Sequence, residues 1–105
     1  MRLPPSVCGV LVAIGLAGCG GSSGNPLADR GKQVYLSQCI ACHAVDPAQS
    51  GAVGPAVKGA SRELLDGKVL RGAYPPGYKP KRPTQVMAPQ PQLANDIPAL
   101  AEYLK

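Results

Sequence analysis

Five consecutive residues gather most of the reactive side chains in this sequence: Cys39, Ile40, Ala41, Cys42 and His43. The pattern C-x-x-C-H is that of covalent haem attachment. On a helix, thiols three residues apart and an imidazole four residues from the first thiol share one face. Two such thiols can add across the two vinyl groups along one edge of a haem, and the imidazole beside them points at the iron. His43 is the sole histidine of the chain. Two other chemistries use C-x-x-C. A thioredoxin-like thiol pair belongs at the end of a strand in a βαβ unit, and no such unit is legible here. A zinc site needs four ligands, and no second C-x-x-C or H-x-x-x-H exists to complete it.

A second candidate lies far along the chain. Residues 73–91 contain six prolines, at positions 75, 76, 80, 83, 89 and 91, which makes an extended loop with little freedom. Met87 lies inside it. An isolated Met commonly fills a core. In a stiff loop without an apolar stripe, it also suits a side chain held at one point, such as a sixth ligand to iron.

Composition limits what can surround these groups. The chain has 105 residues, enough for one domain, with 13 Gly and 12 Pro, no Phe, no Trp and four Tyr. Large apolar side chains are few, and a domain this small is marginal by burial alone. A haem macrocycle would supply the missing apolar centre.

Residues 1–18 read as an export leader. Arg2 is a short basic region, and the apolar run over residues 7–17 is too short to span a bilayer. Leu16-Ala17-Gly18-Cys19 resembles a bacterial lipobox, which implies a lipid on Cys19 as the first mature residue. Ordinary secretory cleavage at the small residues nearby is the competing reading. Residues 19–26, with Ser22-Ser23-Gly24, form a flexible tether, and residues 27–105 form the domain. With Met1 removed, Met87 is the only mature methionine. Cys8 leaves with the leader, so lipid and haem use every remaining Cys and none is left for a disulfide, although export would permit one.

Three helices are expected. The first starts with Asn25 as N-cap and Pro26 in the first helical position. Its stripe is Leu27, Gly31, Val34, Tyr35 and Gln38. Gly31 costs about 1 kcal/mol against Ala, which close approach of another helix would explain. After His43, Gly54-Pro55 is placed to offer a backbone carbonyl to the far nitrogen of the imidazole and so fix its tautomer. Ser61 is expected to cap a second helix through Leu70, stopped by Gly72. The last helix is expected over residues 96–104, with Asn95 as cap and Pro98 in its first turn.

With these residues in order, the chain resembles the class I bacterial cytochromes c, the small mono-haem kind, over roughly residues 27–105. Gly31 and Tyr35 match the glycine and aromatic of that family's first helix. Cys39, Cys42 and His43 match the haem motif, and Gly54-Pro55 the segment whose carbonyl orients the proximal His. Met87 matches the distal ligand. Residues 101–104, Ala-Glu-Tyr-Leu, match the end of the last helix. The resemblance implies an all-α fold of three to four helices around one covalent haem c, and a crossing of the first and last helices at Gly31. Two departures stand out. Ala88 follows Met87 where the family has Pro, and Leu93 and Ile97 lie one residue closer than is common.

The function expected is one-electron transfer rather than catalysis, alone or as the haem subunit of a larger oxidoreductase. A gas-binding or peroxidase-like protein is the alternative if Met87 does not ligate the iron. The chain carries a formal net charge of +5, and loss of Arg2 leaves ten basic against six acidic side chains. Lys79, Lys81 and Arg82 cluster before Met87, either as a solvated face or as a docking surface that steers an acidic redox partner. Export and the lack of interleaved aromatics argue against nucleic acid. The expected location is the periplasmic side of a bacterial membrane. The outer membrane is favoured where there are two, because Gly20 and Gly21 lack the acidic residue associated with inner-membrane retention.

Overall fold

A computed structural model describes residues 24–105. The leader, Cys19 and the tether up to residue 23 lie outside the described residues. α1 (Pro26–Gln38) opens as its sequence dictates. The Asn25 side chain accepts from the N–H groups of Leu27 and Ala28 at 3.1 and 3.2 Å, and Pro26 occupies a position whose missing N–H does no harm. Gly31, Val34 and Tyr35 are its buried face. α2 (Arg62–Leu65) continues directly as a π-helical turn, Asp66–Leu70. A 3₁₀ turn, Pro91–Asp96, runs into α3 (Ile97–Tyr103). Among the described residues there is no strand, and no helix is long and apolar enough to cross a membrane.

α1 and α3 cross at Gly31. A Cβ on Gly31 would lie 2.0 Å from the Ala99 carbonyl oxygen and 2.8 Å from Tyr103 Cβ, so only glycine permits the approach. The Tyr35 and Tyr103 rings meet 5.7 Å apart, tilted by 50°. Polar contacts fix the same pair of helices. Asn25 Nδ2 donates to Glu102 at 3.1 Å, and Arg30 pairs with Asp96 at 3.1 Å. Below the crossing, Val34, Tyr35, Leu65, Val69, Leu93, Ile97, Leu100 and Leu104 form one buried cluster.

Three local expectations change. The second helix does not run α-helically from its Ser61 cap to Leu70. Ser61 Oγ does accept from Leu64 N at 3.1 Å, but the helix widens after Leu65. Gly67 sits there with Ala73 O 2.6 Å from the site of a Cβ, and its own carbonyl accepts from Ala73 N at 3.0 Å. The returning chain thus shares the Gly67 carbonyl with the helix end, where Arg71 N also donates to it. Gly72, at φ 66°, makes the expected stop. Asn95 does not cap the last helix. It lies within the 3₁₀ turn that Pro91 initiates, and Asp96 takes the cap position with its carboxylate turned to Arg30 instead. Finally, the C-x-x-C-H motif is not inside a helix. α1 ends at Gln38, Cys39 is its C-cap, and one further turn follows in which Cys39 O accepts from Cys42 N and His43 N at 3.3 and 3.0 Å.

Candidate functional site

The turn that follows α1 delivers Cys39, Cys42 and His43 together to one cavity of about 670 Å³. Its position is fixed by hydrogen bonds on either side. Cys39 N donates to Tyr35 O at 2.9 Å, and the buried Tyr35 hydroxyl donates to Ala44 O. Burial first, then the neighbouring Cys39, Tyr103 and Asp46, push the Tyr35 hydroxyl above its ordinary value, so it remains a neutral donor. The backbone N–H groups of Gly54 and Val53 donate to Cys42 O at 2.9 and 3.3 Å. This closes a loop of residues 51–56 against the turn.

That loop orients the imidazole. His43 Nδ1 lies 2.8 Å from Pro55 O. A carbonyl only accepts, so Nδ1 carries the proton and Nε2 keeps its lone pair. Gly54 lets the ring lie flat against the loop. A Cβ there would stand 2.5 Å from His43 Cε1 and Nδ1. Gly54-Pro55, marked in the sequence for its carbonyl alone, therefore acts through both residues.

Met87 enters the same cavity from the loop after Gly72, half-buried and packed against the core. The cavity thus brings together the four residues expected to hold the haem, Cys39 and Cys42 for its covalent bonds and His43 and Met87 for its iron. Two features fit an anionic, largely apolar guest of drug-like or larger size. Leu64, Leu65, Val69, Leu100 and Leu104 give it apolar walls. Among the described residues lining it, Lys58, Lys68, Lys81 and Arg82 are cationic and none is acidic. A haem has that character, with a broad apolar ring and two propionates.

The Cys39 thiol is pushed up to about 11 by burial, so it sits in the cavity as a neutral thiol. Both Cys39 and Cys42 are free of disulfide. Among the described residues, no three His, Cys, Asp or Glu side chains gather to hold a metal ion on their own. An iron here would need the equatorial ligands of a macrocycle.

The family model for cytochrome c matches residues 28–105. The chain belongs to the cytochrome c family. Domains of this family bind covalent haem c with its iron and carry electrons. No curated protein and no solved structure gave a match to the chain. The family span starts two residues after the first residue of α1 and takes in every side chain of the cavity.

Several contacts of this cytochrome were not legible in the sequence. Tyr74 and Tyr78 line the cavity as a stacked pair, ring centroids 5.3 Å apart, with Lys68 Nζ 4.4 Å from the Tyr74 ring centre. Their spacing across Pro75-Pro76-Gly77 is the one signal that a tight turn brings them together. Lys81 and Arg82, read as docking charges, have intramolecular acceptors. Lys81 Nζ donates to Ala56 O at 2.8 Å, and Arg82 donates to Val53 O and Gly51 O at 3.4 Å each. Lys79 of the same cluster is exposed.

Proposed function

We propose that this cytochrome is a membrane-tethered electron carrier with one haem. Cys39 and Cys42 would hold it through thioether bonds, and His43 and Met87 would bind its iron. The observation that carries the reading is the hydrogen bond from His43 Nδ1 to Pro55 O, in a cavity that also takes in both thiols and Met87. When bound, haem c supplies one-electron Fe(III)/Fe(II) chemistry.

The chain's own residues do the rest. Pro55 O holds the proton on Nδ1 and leaves Nε2 as the donor atom. Cys39 and Cys42, both free thiols, would be the side chains that join the two vinyl groups. Bound to the iron, the Met87 thioether would favour the ferrous state, and the apolar walls would keep water out, so both would raise the reduction potential. With His43 and Met87 both held on the iron, little would rearrange on electron transfer and no position would stand open to a substrate, which supports a carrier.

The tether is a lipid on Cys19, argued from Leu16-Ala17-Gly18-Cys19, and it holds the domain on the exported, periplasmic face, with the outer membrane favoured. The redox partner is acidic where it docks. Lys79, Lys81 and Arg82 steer its approach, and an association rate insensitive to ionic strength would remove that role, since exposed charges act over about 8 Å at physiological salt.

The deciding experiment is carbon monoxide binding to the reduced protein. The wild type is expected to bind poorly, and Met87→Ala to open the site and lower the potential. A wild type that binds carbon monoxide readily gives the gas-binding or peroxidase-like alternative. An unchanged Met87→Ala spectrum gives the iron another ligand.

A further inference from the structure

The loop that carries Met87 has almost no backbone hydrogen bonds to the rest of the domain. Residues 79–89 make no backbone hydrogen bond among the described residues. The loop is fixed at its far end, where Gln90 N donates to Val69 O at 2.6 Å, and closes on itself where Tyr78 N donates to Pro75 O. Between these points only side chains reach across. Lys81 Nζ donates to Ala56 O at 2.8 Å, and the two Arg82 amino groups donate to Val53 O and Gly51 O at 3.4 Å. All three acceptors belong to residues 51–56. This is the loop that presents Pro55 O to His43 and closes on Cys42 O.

We propose that Lys81 and Arg82 are positioning residues that fasten the Met87 loop to the His43 loop, so that the two axial ligands are held by one cross-link along the cavity. The proposal rests on the reading of Met87 as an iron ligand. It assigns the two cations a task inside the domain that needs no partner. A charged donor strengthens each contact. The Lys81 contact has ordinary hydrogen-bond length and the Arg82 contacts are long, so Lys81 carries the larger share. Pro80 and Pro83 flank the pair and have no N–H to offer, and no other backbone group of residues 79–89 makes a backbone hydrogen bond, so the polar hold is made by side chains. Met87 follows only a few residues later, so any opening of the fastening is felt at the sulfur.

The test is imidazole titration of the purified ferric protein, read from its visible spectrum, with no partner present. Imidazole binds only when the Met87 sulfur leaves the iron, so its affinity reports how easily the loop opens. Lys81→Met with Arg82→Met is expected to raise the affinity about tenfold, the order of one or two lost charge-assisted hydrogen bonds. Lys81→Arg, which keeps a donor for Ala56 O, is expected to stay within about twofold of wild type. In a Met87→Ala background, where no sulfur competes, the paired substitution is expected to have no effect beyond about twofold. If the double variant does not accumulate, Lys81→Met alone carries the test, with a rise of about threefold or more expected.

Two results overturn the proposal, and they differ. If Met87→Ala changes the spectrum but the paired variant keeps wild-type imidazole affinity, the fastening is absent and Lys81 and Arg82 serve the solvent or a partner. If Met87→Ala leaves the spectrum unchanged, the ligand reading falls and the proposal falls with it.

Discussion

Replacing Gly31 by Ala tests the α1–α3 crossing directly. The new methyl carbon would stand 2.0 Å from Ala99 O, 2.6 Å from Ala99 C and 2.8 Å from Tyr103 Cβ. An unstrained carbon–oxygen contact needs more than 3 Å, so the helices must separate by about 1 Å or more, against interiors packed as densely as organic crystals. Overpacking of this kind costs about 1–3 kcal/mol. Backbone atoms are the obstacle, and they cannot swing away as a side-chain tip can, so the upper half of that range applies. The gain in helix propensity returns about 1 kcal/mol. The net expectation is a loss of about 1–2 kcal/mol, or a midpoint lowered by about 4–15 °C in a domain of this size. Thermal unfolding of the haem-loaded protein by circular dichroism measures it. Gln33→Ala, an exposed change on the same helix, serves as the control and is expected to move the midpoint little. A Gly31→Ala protein at least as stable as wild type would refute the close crossing and leave Gly31 as a merely tolerated residue.

Asn25→Ala removes both the cap of α1 and the hydrogen bond to Glu102. Denaturant unfolding should show a loss of about 0.5–2 kcal/mol, and no loss would mean the cap is replaced by water. Cys39→Ala with Cys42→Ala should abolish the haem colour that the denatured wild type keeps on a gel. If acid–organic extraction strips haem from the wild type, the attachment is not covalent. Cys19→Ser should release the protein from the membrane fraction or leave it unprocessed. A mature N-terminus mapped to any other residue would refute the lipid anchor.

The elements legible in the sequence are those whose signal is local. Asn25-Pro26 starts a helix by a contact between neighbours, and Ser61 does the same. His43 and Pro55 were legible because C-x-x-C-H and Gly54-Pro55 match, in order, motifs of the family that the sequence resembles. What escaped depends on contacts between distant segments. The π-helical turn at Asp66–Leu70 occurs where Ala73 returns to Gly67, and no periodicity within the helix announces that contact. Asn95 has as good a side chain for a cap as Asp96, yet Pro91 sets a 3₁₀ turn that takes in Asn95, and the Asp96 carboxylate turns to Arg30. The charges of Lys81 and Arg82 were visible, but their acceptors are backbone carbonyls, which every residue has and no sequence marks.

The pairing of α1 with α3 also sets when this domain can fold. The buried face of the first helix is covered by the last residues of the sequence, through contacts that span 77 positions at Asn25–Glu102 and 66 at Arg30–Asp96. Closing a segment of that length costs about 4 kcal/mol of chain entropy before any contact repays it. A ribosome or an export channel releases the chain from its N-terminus, so α1 emerges without its partner. It stays a marginal isolated helix of 13 residues. High contact order of this sort slows folding and makes it late and cooperative. The cysteines sit just past that first helix, so they remain accessible in an unfolded chain until Tyr103 and Leu104 arrive. The order of events is thereby written into the topology, with modification of the motif possible first and enclosure last.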